Sequence, residues 1–347
     1  MRSDDLLILK GHEVLSLLEG RELELIQSVR QAYEVHAQGH TSLPHSTFLL
    51  FPESPRNRII ALPSYLGDGF QIAGLKWIAS FPGNHEVGLD RASAVMILNS
   101  AETGVPTAIF EGSIISAKRT AASAALAASW LHRGSSSPSV GIIGCGLINF
   151  EIVRFLRAVF PQLQQLLVFD TQPAKAVLFS EKCHALHPEI SVSCANDIDS
   201  VLQNTSLISF ATTASQPHVG ELSKTGDPRT ILHISLRDLT PELMLSCDNV
   251  VDDSDHVARA QTSIHLAEQL CGHRDFIRCS LGDVLLGRAE TRRHDNATLI
   301  FSPFGLGILD IAVGKLVYDL ALRAECGTLI DSFLPVPWLQ RSERQET

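Results

Sequence analysis

The feature that most constrains this 347-residue chain is a short glycine motif together with what flanks it. Val140-Gly-Ile-Ile-Gly144-Cys-Gly146-Leu-Ile-Asn149 follows an apolar, strand-like run, Ser139–Ile143, and opens an amphipathic stretch, Leu147–Phe160, with helical spacing. In that setting the first glycine permits a tight turn, and the second lets an anion approach the unsatisfied N–H groups of the helix start. The alternation then continues. Gln165–Phe169 reads as a strand, Ala174–His187 as a helix, and Ile190–Cys194, Ser206–Phe210, Thr230–Ile234 and Asn249–Asp252 as further strands. Strands alternating with helices predict an α/β fold, a Rossmann-type doubly wound parallel sheet with crossover helices on both faces.

The first third is patterned differently. A helix is expected over Arg21–Gly39, where Leu23, Ile26, Val29, Tyr33 and His36 recur near helical spacing. Short apolar runs follow at Thr47–Phe51, Arg58–Pro63, Ile72–Phe81, Ala92–Leu98 and Pro106–Phe110, the last pair joined by a turn-rich segment ending at Gly104. An Ala-rich helix is expected over Ser116–His132, then a break at Arg133–Ser139, and a last helix over Ile308–Ala324, closed by Gly327. This implies a second α+β domain. The expected division is 1–118 plus 314–347 for that domain and 119–313 for the Rossmann domain.

The glycine motif points to a dinucleotide. Gly144 and Gly146 would cradle a pyrophosphate, with Leu147 and Ile148 opening the helix beside it; Asn149 stands where Gly or Ala is usual and is expected to loosen helix–strand packing. About twenty residues on, Asp170 ends the second strand, where a carboxylate accepts hydrogen bonds from a ribose and repels a 2′-phosphate. Only Lys175 lies just downstream, which favours NAD over NADP. Thr212 and Thr213 follow a strand and are candidates for ribose or nicotinamide contact, or plain loop threonines. Thr120 and Ser235 complete the candidate cofactor set. Cys145 reads as a small packed residue.

Four positive groups and one acid are candidates for substrate chemistry. Lys76 interrupts an apolar strand, a costly place for an ammonium unless it is paired or faces outward. Arg91 precedes a strand; Arg119 belongs to a basic pair near an expected helix start, against the dipole preference. Asp238, beside Arg237 at a strand end, is either a general base, a turn residue or a helix cap. The formal charge of 28 − 38 = −10 disfavours nucleic acid or anionic membrane as a partner. No apolar run approaches a membrane span, and Leu6–Leu9 is too short for a secretory core. Seven scattered cysteines without a CxxC pair read as reduced thiols of a cytoplasmic protein, and neither His184 beside Cys183 nor Cys271, His273 and Cys279 make a zinc pattern, so no metal is expected.

Over nearly its whole length the chain resembles the ornithine cyclodeaminase/μ-crystallin family. The segments that carry the likeness are GLKWIASFPGN (74–84), RASAVMILN (91–99), EGSIISAKRTAASAALAA (111–128), GCGLIN (144–149), HISLRDL (233–239) and SPFGLGILD (302–310). GLKWIASFPGN, RASAVMILN and HISLRDL are similar to the branch that forms 2,3-diaminopropionate from N-(2-amino-2-carboxyethyl)-L-glutamate for siderophores or antibiotics. The resemblance implies a homodimer, NAD as cofactor, Asp238 and Lys76 as catalytic residues, and Lys76, Arg91 and Arg119 as carboxylate ligands. It also implies a pathway partner, a synthase that joins phosphoserine to glutamate. The cyclodeaminase Arg before the third strand is absent: the region reads Leu43-Pro-His-Ser46, with His45 as the candidate replacement, and Leu236-Arg-Asp238 stands for the usual Gly-Ala-Asp. Three substrate carboxylates call for several cations, which Lys76, Arg91, Arg119 and Arg237 supply. The alternatives are ornithine cyclodeamination, reduction of cyclic imines or 2-oxo acids, and non-catalytic ligand binding of the μ-crystallin kind.

Overall fold

A computed structural model describes residues 4–133, 139–222 and 228–340. Most of the expected break at Arg133–Ser139, and the end of the expected C-terminal segment, lie outside the described residues. The strands in chain order are β1 (Leu6–Leu9), β2 (Thr41–Ser42), β3 (Thr47–Leu50), β4 (Arg58–Leu66), β5 (Ile72–Ser80), β6 (Ala92–Ser100) and β7 (Pro106–Glu111). They continue with β8 (Ser139–Ile143), β9 (Gln165–Phe169), β10 (Ser191–Cys194), β11 (Leu207–Phe210), β12 (Thr230–His233), β13 (Asp248–Val251), β14 (Ile277–Ser280), β15 (Leu299–Ser302) and β16 (Thr328–Ile330).

Two eight-stranded sheets result. The second has the order β10-β9-β8-β11-β12-β15-β13-β14 and is parallel throughout. Its central strands β11, β12, β13 and β15 are buried at every residue, as a sheet covered on both faces requires. The order reverses direction between β8 and β11, so the crevice for a ligand opens beyond the carboxyl ends of those two strands. The α/β, Rossmann-type expectation is therefore met. β14 and β15 extend it beyond the strands visible in the sequence.

The first sheet runs β16-β1-β7-β6-β5-β4-β2, with β3 also on β4. Leu6–Leu9 is a buried strand, held between the parallel β7 and the antiparallel β16. In β4 and β6 burial alternates, so Leu62, Ser64, Leu66, Ala94, Met96 and Leu98 face inward. The Gly307–Arg323 helix lies across this inner face. A Cβ on Gly314 would come within 2.8 Å of Met96, and one on Gly307 within 2.9 Å of Ser64, so bare backbone at these two positions sets how closely the helix approaches. The Ser113–Leu131 helix, Ala-rich and almost wholly buried, packs on helices and strands of both domains. The expected boundaries at 118/119 and 313/314 fall inside these two shared helices. Among the described residues no helix is long and apolar enough to cross a membrane.

Replacing Gly314 by Val should force helix and sheet apart and lower stability by about 1–3 kcal/mol, as overpacked cores do. Urea unfolding of the two proteins measures it; an unchanged midpoint would mean that the helix does not depend on this approach.

Candidate active site

The glycine loop is built as a dinucleotide cradle. Gly144 has φ +92°, and a Cβ there would meet the Ala211 carbonyl oxygen at 2.6 Å, so only glycine fits between the ends of β8 and β11. Gly146 caps the Leu147–Val159 helix without any side-chain cap, and a Cβ there would meet nothing within 4 Å. The helix N–H groups thus face open space, as an anion site needs. Asp170 accepts hydrogen bonds from the Cys145 N–H at 2.9 Å and the Gln172 N–H at 2.9 Å, which pins its carboxylate at the mouth of the loop. The residues present fit a dinucleotide. Asn149 does not loosen the packing. It is fully buried, donates to the Ile143 and Gly144 carbonyls at 3.0 and 2.7 Å, and accepts from Ser209 at 2.7 Å, tying the loop to β8 and β11. Burial and the nearby Asp170 push the Cys145 thiol up to about 12, so it stays protonated.

The second cluster joins the two domains. Lys76, on the inward row of β5, is 2% exposed; its Nζ donates to Asp310 Oδ2 at 2.7 Å and to Ser116 Oγ at 3.1 Å. Arg119 Nε donates to the other oxygen of Asp310 at 2.9 Å. Asp310 is wholly buried, on the same helix as Gly307 and Gly314. One carboxylate therefore serves two cations, and the pocket carries a surplus positive charge that a bound carboxylate would neutralise. The helix holding Arg119 begins at Ser113, so Arg119 lies in its second turn, beyond the reach of the dipole at the first. Its neighbour Lys118 turns away to Glu151 at 3.1 Å. Thr120 back-bonds to the Ser116 carbonyl at 2.7 Å.

Asp238 is buried, and it is neither a helix cap nor a surface turn residue; Thr240 caps the helix that follows. Its oxygens accept hydrogen bonds from the Thr212 and Ser235 hydroxyls, with His233 Nε2 3.3 Å behind. Burial alone would raise its pKa, but His233, Ser235 and Thr212 outweigh that and hold it below the ordinary carboxylate range. Thr212 and Ser235 are thus committed to Asp238, while Thr213 and Leu147 are exposed and Ile148 is half-buried. Arg91 is exposed and donates to Ser80 at 3.2 Å. His45 packs on His256 with ring centroids 5.0 Å apart. Asp310 and His233 escape sequence reading because a carboxylate in an apolar helix and a histidine at a strand end look like ordinary core residues. The one available signal for Asp310 is its place in SPFGLGILD.

The model of the ornithine cyclodeaminase/mu-crystallin family matches residues 6–325. The chain belongs to this family. Among the relatives of this ornithine cyclodeaminase/mu-crystallin protein is N-((2S)-2-amino-2-carboxyethyl)-L-glutamate dehydrogenase of Staphylococcus aureus, 28% identical over 316 residues that cover 89% of this chain and 93% of the relative. An archaeal alanine dehydrogenase dimer with bound NAD has a TM-score of 0.83 at 29% identity, covering 94% of this chain and 99% of the other. Δ1-pyrroline-2-carboxylate reductase of Thermococcus litoralis, in complex with NADH and L-proline, has a TM-score of 0.84 at 25% identity, covering 93% and 99%.

Burial lowers Lys76 from its ordinary 10.5 to about 8; the Asp310 carboxylate opposes the shift and Arg119 adds to it. Because the folded value is the lower one, the buried ammonium costs stability below about 8, and that cost fades as pH rises towards 10.5. Carboxylate binding has the reverse dependence, since the ammonium is lost above about 8. Acetate affinity titrated from acid to alkaline pH should therefore fall through that value. Lys76→Met should bind acetate weakly and without this limb; a limb that persists would assign it to another group.

Proposed function

We propose that this chain is an NAD-dependent dehydrogenase that converts N-(2-amino-2-carboxyethyl)-L-glutamate, with water and NAD⁺, to L-2,3-diaminopropionate, 2-oxoglutarate and NADH. The observation that carries this reading is the surplus of positive charge around Asp310, with Arg91 and Arg237 as further cations, in a protein of net charge −10. A substrate with three carboxylates matches that surplus; ornithine, with one carboxylate and two ammonium groups, does not. The similarity to the Staphylococcus aureus dehydrogenase supports the same choice.

Gly144, Gly146, Leu147, Ile148 and Asp170, with Thr120, Thr212, Thr213 and Ser235 nearby, would hold NAD⁺, which would supply the electron acceptor for oxidation at the glutamate Cα. Lys76 and Arg119 hold the α-carboxylate at that carbon, and Arg91 holds another. Asp238, ionised at neutral pH, takes the proton from the substrate nitrogen as its bond to Cα becomes an imine. Asp238 passes that proton to solvent, Lys76 polarises the imine, and the ionised Asp238 then takes a proton from the water that attacks Cα and returns it to the nitrogen. Breaking the C–N bond of the resulting carbinolamine releases 2-oxoglutarate, while the nitrogen leaves with diaminopropionate. A positioned base of this kind contributes roughly 10²–10⁴-fold in rate. The product is a building block for siderophores or antibiotics, and a synthase joining phosphoserine to glutamate would supply the substrate.

NADH fluorescence and amino-acid products, followed together for the conjugate, ornithine and alanine, test the reading. Stoichiometric NADH and diaminopropionate from the conjugate is the expected result. Asp238→Asn should lower turnover by about 10²–10⁴-fold with NAD⁺ affinity retained. Proline from ornithine without net NADH would make the chain a cyclodeaminase, and a wild-type rate in Asp238→Asn would sink the mechanism.

The second copy of a homodimer is assigned to the outer face of the first sheet. There Trp77 and Val95 are direct cross-strand neighbours, 41% and 44% exposed, and Leu49, opposite Ile59 on the same face, is 46% exposed. Sedimentation velocity should show a dimer for the wild type and a monomer for Trp77→Glu; a wild-type monomer would contradict the assignment.

A further inference from the structure

Cross-strand register places Arg58, Ser80 and Ala92 in one row on the inner face of the first sheet, since directly opposed residues share a face. Lys76 stands in the row Leu62–Lys76–Met96 on that face, four residues and roughly 13 Å back along β5. Arg91, just ahead of β6, bends over the Ser80 row, its Nε donating to Ser80 Oγ at 3.2 Å. Arg237 comes from the other domain, on the loop after β12, where Leu236 has φ +67° and Arg237 Nη2 donates to the Ala260 carbonyl at 2.6 Å. Burial, Arg58 and Arg91 together lower the Arg237 guanidinium although Asp238 supports its charge, and desolvation and then Arg58 lower Arg91, so the three crowd one another.

None of these arginines has an ion-pair partner among the described residues. Arg58 Nε is buried with no acceptor at all. Asp238 lends charge to Arg237 alone and makes no ion pair or hydrogen bond with any of the three, its oxygens being turned to Thr212, Ser235 and His233. Three like charges gathered from two domains, with donors left over, cost stability that Asp238 offsets only at Arg237. An anion would recover it.

The geometry points to Arg58, Arg91 and Arg237 as a second carboxylate site, distinct from Lys76 and Arg119, that takes the distal carboxylate of a dicarboxylic amino acid or oxo acid and bridges the two domains. This deepens the proposed function and rests on its assignment of the first carboxylate to Lys76 and Arg119. Guanidinium forks suit the task because they meet a carboxylate with two parallel hydrogen bonds. The role of Arg58 and Arg237 is selectivity for a second acid group at the far end of the substrate, with no part in the oxidation itself.

The test is calorimetric titration of the NAD⁺-loaded full chain with glutarate and with butyrate, which differ by one carboxylate. Glutarate should bind at least about tenfold more tightly to the wild type, the difference that one charge-assisted pair of about 1.4 kcal/mol produces. Arg58→Gln and Arg237→Gln should each bring the two acids to within about twofold, with butyrate and NAD⁺ affinities unchanged. Should Arg58→Gln fail to fold, Arg237→Gln, a loop substitution, decides alone. Equal affinities in the wild type, or a glutarate preference that survives both substitutions, would overturn the proposal. An Arg58-dependent preference alongside no turnover of the glutamate conjugate would keep this site and discard the substrate named above.

Discussion

The buried carboxylate of Asp310, shared between Lys76 and Arg119, is the interaction on which the rest of the arrangement depends. It joins three separate elements: a strand of the first sheet, the Ala-rich Ser113–Leu131 helix and the late Gly307–Arg323 helix. Two buried cations with no acid would not be tolerated, and an acid with no cation would be as costly; removing one partner of such a pair typically costs about 3–5 kcal/mol. One acid for two cations is the intermediate case. It keeps the cations in place and leaves positive charge uncompensated, so the fold tolerates the site while the site still favours an anion. The lowered pKa of Lys76 belongs to the same balance, because desolvation outweighs what Asp310 returns.

Asp238 is held by a different balance. Two hydroxyls and a histidine take up its oxygens, so it stays ionised in spite of its burial. The hydroxyls come from Thr212 and Ser235, at the ends of neighbouring parallel strands, which sets the acid at the crevice where the sheet reverses direction. A cofactor cradle and an ionised acid thus share one edge of the sheet, and Arg237 stands next to that acid on the same loop. The charges of Arg58 and Arg91, from the other domain, oppose that of Arg237. The chemistry proposed for this chain lives in the space between two sheets that each fold for reasons of their own.

Much of this was legible in the residues. The glycine loop, its strand and its helix stand where spacing puts them, because strand–turn–helix chemistry is local: Gly144 must adopt a positive φ, and Gly146 leaves the start of the helix open. The Arg58, Ile72 and Ala92 strands were also visible as apolar runs, although the first and last were read two or three residues short and the Ile72 run one residue long. β1, β14, β15 and β16 were not. Each has only three or four residues, and each is a strand because a neighbouring strand supplies its hydrogen bonds. The polar role of Asn149 escaped for a similar reason, since its partner Ser209 lies sixty residues away.

By itself, then, the sequence determined the local conformations: which stretches alternate, where a glycine is obligatory, and which charged side chains sit in apolar surroundings. It marked Lys76 and Arg119 as residues with an unexplained cost, and Asp238 as a base, a turn residue or a cap. Only the tertiary structure decided who answers that cost. Asp310 is 234 residues from Lys76 in the chain, and Arg58, whose charge opposes that of Arg237, comes from the other domain. Electrostatic compensation acts through space over a few ångströms, so a linear pattern reveals the charge that needs a partner, and the folding of distant segments against each other chooses the partner.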